Sequence, residues 1–205
     1  MPPSPSISDI QIAQRACILA GLKPINAFDE PNNETAAALN AIYADITEDC
    51  LTIHPWRFAN LQVDLGPPLS AEPAPLGYQT AYAIPEDPRP LRITTLLMNG
   101  TLANRYKVMG KQIWTMASGT EVVTLDATWS IPEADWPPWF RVYAIERLAA
   151  FLGGAVTRNG DLATFHAQEA EKQLARSRTR DSQQQTTTKL AYTKIRSARL
   201  GGRPT

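Results

Sequence analysis

No run of about 18 or more apolar residues occurs in the chain, so the sequence predicts no membrane span. Its first ten residues, MPPSPSISDI, hold no basic stretch followed by an apolar core, and no secretory signal is expected. Cysteine is scarce. Cys17 and Cys50 are the two present, and each falls in an apolar helical pattern. Two small buried hydrophobes are the expected reading, and nothing requires a disulfide. Histidine is as scarce, at His54 and His166, and no Cys/His spacing suits a metal. The motifs GxxxxGKS/T, GxGxxG, HExxH, GxSxG and paired CxxC are all missing. These absences leave phosphate-loop, dinucleotide, zinc-peptidase and serine-hydrolase chemistry without their usual residues. No cofactor and no enzymatic activity are expected.

What the sequence does have is a foldable composition with a lopsided charge. Hydrophobic residues make up 43% and charged residues 20% of 205, enough for one ordinary domain or two small ones. The net charge is zero, yet the last 34 residues hold nine Lys or Arg and one acid, Asp181. The first 171 residues therefore carry −8 and the last 34 carry +8. An acidic body joined to a basic tail implies that the tail meets something: an acidic protein surface, nucleic acid, or a neighbouring copy.

Hydrophobic spacing predicts four helices. The first runs from Asp9 to about Ala20, with Ser8 as cap, Ile10, Ala13, Cys17 and Ala20 in a stripe, and Gly21 as stop. The second runs from Glu34 to His54, with Leu39, Ile42, Tyr43, Ile46, Cys50 and Ile53 facing the core and Pro55 ending it. A third starts at Pro137 or Pro138 and reaches about Arg158. The fourth is capped by Asp161, faces inward with Leu162, Phe165, Ala170 and Leu174, and ends among Arg176, Arg178 and Arg180. Between the second and third helices the period changes to two. Alternation over 78–84 and 91–97, the Asn99-Gly100 turn, and strands at Tyr106–Met109, Gln112–Thr115 and 121–127 predict an antiparallel meander or small sandwich. The expected fold class is α+β. Residues 8–58 and 137–180 form an antiparallel bundle of four helices, 59–136 an inserted β domain, and 181–205 a flexible basic arm.

Few residues invite a chemical role. His54 lies at a helix end without a nucleophile partner, and closing that helix is its expected use. His166 is expected on a solvated flank. Asp45, Glu48 and Asp49 form a solvated acidic face, and Glu86 and Asp87 sit in a proline-bounded turn. Trp129, Trp136 and Trp139 are expected in the core, with the WPPW region the alternative contact surface. In the tail, QQQTTT predicts a tether. Beyond it Leu190, Tyr192, Ile195 and Leu200 alternate with Lys189, Lys194, Arg196 and Arg199. A solvated end and a phosphate-binding arm are both open readings. The spaced apolar residues favour an arm that folds on a partner protein.

One segment carries a resemblance. AAALNAIYADITEDCLTIHPWRFA, Ala36 to Ala59, places a helix before an HPW-F-A motif at His54, Pro55, Trp56, Phe58 and Ala59. It resembles phage tail tubular protein A and related head-to-tail adaptors. The order of other features matches: Leu19, Gly21 and Leu22 at the first helix end, Tyr82 to Pro85, the Ala-rich ERLAAFLGGAVT, and Ala170 to Asp181 as a loose counterpart of a final-helix pattern. The resemblance spans residues 8 to 181. The proline-rich middle and the long basic tail depart from it. It implies a structural ring of about a dozen copies between the capsid portal and a downstream tail or nozzle protein. Double-stranded DNA would pass through it without specific binding. The protein would sit in the virion, at the head-tail junction, after synthesis in the bacterial host cytoplasm. The resemblance also implies that the C-terminal arm, Lys189, Leu190, Tyr192, Lys194, Ile195, Arg196, Arg199 and Leu200, reaches the portal. The alternative is a DNA-binding protein that uses the same arm.

Overall fold

The computed structural model describes residues 8–69, 74–75, 77–103 and 105–184. Among the described residues the fold is α+β: four α-helices and two antiparallel sheets. The helices are α1 (Asp9–Leu19), α2 (Glu34–Thr52), α3 (Pro138–Ala155) and α4 (Gly160–Gln183). Seven strands lie between α2 and α3 in the chain: β1 (Asn60–Asp64), β2 (Thr80–Ala83), β3 (Pro90–Met98), β4 (Thr101–Leu102), β5 (Tyr106–Met109), β6 (Gln112–Thr115) and β7 (Val123–Trp129).

Capping chemistry sets the helix starts. Asn33 accepts from the Thr35 and Ala36 amides at 3.0 and 3.2 Å, satisfying two of the amides that open α2. Pro138 opens α3, where a missing N–H costs nothing. Asn159, rather than the expected Asp161, caps α4 by accepting from Leu162 N at 3.1 Å. Ser8 occupies the cap position of α1 but its side chain makes no capping bond.

Three apolar clusters fill the interior. Ile12, Ala16 and Cys17 of α1 meet Leu39 of α2 and Leu148 and Leu152 of α3 in the first. The second joins the end of α2 to α3 and α4 through Cys50, Trp56, Phe140, Tyr143, Ala170 and Leu174. The third belongs to the strands. Two residues expected to face inward are turned out: Ile53, 38% exposed, lies just past the end of α2, and Phe165, 58% exposed, yields its place to the neighbouring His166. On α4 the buried stripe is His166, Ala170, Leu174, Ser177 and Asp181. Its helical spacing is regular but its chemistry is partly polar, which hides it from a hydrophobic pattern.

The strands do not form the simple meander that their order suggests. The sheets run β1-β7-β3-β4 and β2-β6-β5, so β7 pairs with β1 on one side and β3 on the other. Both sheets feed one core: Tyr82 and Ile113 from one, Leu96, Leu125, Ala127 and Trp129 from the other. Asn99 and Gly100 have φ of 48° and 77°, the doubly positive turn that an Asn-Gly pair makes at least cost. Strand β1 was not expected. It is short, with two inward-leaning residues, and its pairing with β7 (Val63 opposite Leu125) defines it better than its composition.

The helices and strands meet through polar ties. Arg89 pairs with Glu48 at 2.8 Å, Arg92 donates to the Thr52 carbonyl at 3.1 Å, and the Tyr43 hydroxyl donates to Glu133 at 3.1 Å. Among the described residues no helix is long and apolar enough to cross a membrane.

Helices α3 and α4 approach closely at Gly153. A Cβ there would stand 3.0 Å from the Ala163 amide nitrogen, whereas one at Gly154 would meet only the Ala163 methyl at 3.8 Å. Gly153→Ala is expected to cost about 1 kcal/mol or more by prising α3 from α4. Gly154→Ala should be neutral or stabilising by roughly half a kcal/mol, since alanine suits a helix better. Urea unfolding of the two variants checks the contrast.

Candidate functional site

The expected structural motif, His54, Pro55, Trp56 and Phe58, forms the joint between α2 and β1. α2 ends at Thr52, two residues before the predicted His54, because Pro55 disfavours helix at its predecessor. The chain then folds back. Trp56 N bonds the His54 carbonyl at 2.8 Å, and the Trp56 indole N–H donates to the Cys50 carbonyl at 2.8 Å. The indole thus satisfies a carbonyl left open at the helix end. Ala59 donates to Trp56 and accepts from Trp129, which hands the chain to β1.

Trp56 is wholly buried, and aromatic rings surround it. Phe140 lies at 5.3 Å in edge geometry, Trp139 at 5.5 Å, Phe58 at 6.3 Å and His54 at 4.7 Å. Such ring pairs each add to the area they bury. The three further tryptophans expected at this junction are buried or partly so: Trp129 and Trp136 fully, Trp139 in part.

A carboxylate from the far end of the chain ties the joint down. Asp181 of α4 is 1% exposed. It accepts the Arg57 amide at 3.1 Å, and its other oxygen lies 3.6 Å from His54 Nε2 and 3.8 Å from Arg57 Nε. A buried carboxylate without partners would be costly, so these contacts fix both the turn and the end of α4. Burial lowers the His54 pKa, with Arg178 and Arg57 adding to that direction and the Asp181 charge opposing it. The ring is therefore biased toward its neutral form and meets Trp56 in edge geometry.

His54 and Asp181 have the outline of a catalytic dyad, but 3.6 Å is too long for a hydrogen bond. Among the described residues His54 has no hydroxyl or thiol partner. Cys50 is fully buried and burial pushes its thiol up to about 12. The geometry suits a mechanical joint. Among the described residues no three His, Cys, Asp or Glu side chains converge as ligands for a metal.

Two expectations require correction. The expected arm boundary at 181 does not hold, since α4 continues through Gln183 and Asp181 belongs to the packed body. His166 was expected in solvent. It is 4% exposed and bridges three helices, with Nε2 donating to the Leu19 carbonyl at 3.1 Å and Nδ1 at 2.8 Å from Glu146. The proposed portal-binding residues, Lys189, Leu190, Tyr192, Lys194, Ile195, Arg196, Arg199 and Leu200, lie outside the described residues.

A scan against models of protein families returns no match, and no curated protein matches the chain.

Asp181→Ala leaves the part-buried Arg57 amide without its acceptor and removes the carboxylate that faces His54. The variant is expected to lose about 2–3 kcal/mol, and Asp181→Asn less, since the amide oxygen still accepts from Arg57. Denaturant unfolding followed by tryptophan fluorescence reads both the loss and the loosening around Trp56.

Proposed function

We propose that the protein is a structural head-to-tail adaptor: a ring of about a dozen copies between a phage portal and the next tail component, without catalysis. In this reading the helices form an antiparallel bundle and the strands an inserted β domain. The bundle holds the ring, and the β domain offers a platform to the downstream tail or nozzle protein. The observation that carries it is the convergence of the residues behind the resemblance. His54, Trp56 and Phe58, Ala170 and Asp181 are far apart in sequence and meet in one built joint. A motif kept for its mechanics, with no reactive partner, suits a part that bears load.

The charge layout supports the same reading. An acidic body lets DNA slide past without gripping its phosphates. The basic arm is left to seek an acidic protein surface, with Leu190, Tyr192, Ile195 and Leu200 as apolar anchors and Lys194, Arg196 and Arg199 pairing to acids. Binding that orders an arm only on its partner ties assembly to the presence of the portal. The rival reading, a DNA-binding arm, predicts affinity for random duplex that falls steeply with salt.

Removing Lys189 to Thr205 is expected to leave the body folded and to abolish attachment to the portal ring. Circular dichroism and a pull-down with purified portal measure the two halves. Undiminished capture of the shortened chain contradicts the assignment of the arm.

A further inference from the structure

Two exposed faces of opposite charge remain unused by the joint and by the arm. The first is a cleft of about 580 Å³ between α2 and the segments that carry Pro88 and Ile131. Tyr43, Pro88, Ile131 and Trp136 give it an apolar floor. It continues into a second cleft of about 440 Å³ along the outer side of α2 and β3. Among the described residues Arg89 is the one cation lining the pair, against six carboxylates. Three of those are engaged: Glu48 by Arg89, Asp49 by Arg147, and Glu133 by the Tyr43 hydroxyl. Asp9, Asp45 and Asp87 form no ion pair among the described residues.

The second face is on α4. Lys172, Arg176 and Arg180 recur every four residues, so they stand in one exposed row beside the helix's buried stripe. Lys172 reaches Glu169 at 3.1 Å, while Arg176 and Arg180 form no ion pair among the described residues. The row is rigid, because the buried side of the same helix is packed on α3 and pinned at Asp181.

We infer that the cationic row of α4 in one copy docks in the acidic cleft beside α2 of the next. This rests on the ring reading and names the faces that meet in it. The match has two parts: cations without an ion pair meet carboxylates without one, and a helix face meets a groove with an apolar floor. The cleft belongs to α2 and its neighbours and the row to α4, so the contact joins unlike faces. A head-to-tail contact of unlike faces repeats from copy to copy and either closes as a ring or runs on as a filament. Charge pairs at such a rim steer docking and fix its register.

The test uses the full chain with two charge reversals, Arg176→Glu/Arg180→Glu and Asp45→Lys, all at exposed positions where folding should be retained. Sedimentation velocity is run at low and high salt, alone and with purified portal rings. The wild type is expected to associate, more weakly as salt rises. Each reversal should weaken association by at least about tenfold. Mixing the two should then yield a 1:1 pair that grows no further, because one competent contact remains. On portal rings the reversed chains should load as isolated copies.

Reversed chains that load and associate as the wild type does would overturn the contact and leave the adaptor reading standing. Salt-sensitive association that both reversals abolish, in a chain that ignores the portal, supports the contact and removes the adaptor reading. A wild type that stays monomeric alone and on the portal removes both. Reversals on α4 that abolish only binding to duplex DNA would reassign the row to phosphates and overturn the contact.

Discussion

The chain has to turn from a helix into a sheet at residues 53–59, and a single buried carboxylate makes that turn rigid. Asp181 arrives from α4, more than a hundred residues later, and takes the Arg57 amide while facing His54. Trp56 fills the space beneath and closes the last turn of α2 through its indole N–H. Remove either and the end of α2, the start of β1 and the end of α4 lose their common reference. The direction of the strand that follows α2, and the position of the end of α4, both follow from this joint.

Local rules written in the sequence were legible where one residue type decides. Pro55 and Pro138 set helix ends, Asn99-Gly100 set a hairpin, and β5 and β6 fall at the expected residues. What stayed hidden depended on distant partners. β1 is a strand because β7 offers it a ladder, and NLQVD has little intrinsic β character. His166 and Asp181 are polar members of a buried stripe, so a search for apolar periodicity passes over them. The signal in the sequence is the 166, 170, 174, 177, 181 spacing itself, which marks the solitary acid of the basic tail as a packed residue whatever its polarity. The motif residues His54 to Phe58 were legible as a structural joint, and their partner was not.

The physical account of function joins this joint to the charge layout. Acidic clefts beside α2, a cationic row on α4 and a basic C-terminal sequence are the features on which the proposed assembly role rests. Charged surfaces of opposite sign on one chain promote head-to-tail repetition, and in the proposed reading the apolar residues of the terminal segment would anchor it to a partner. The DNA-binding alternative uses the same cations but leaves Leu190, Tyr192, Ile195 and Leu200 without a role.

Native mass spectrometry of the purified chain, alone and mixed with its portal ring, tests the adaptor reading most directly. The account predicts about a dozen copies bound to each portal ring, held in a discrete assembly. A chain that leaves the portal untouched and instead shifts in mass with duplex DNA would contradict it.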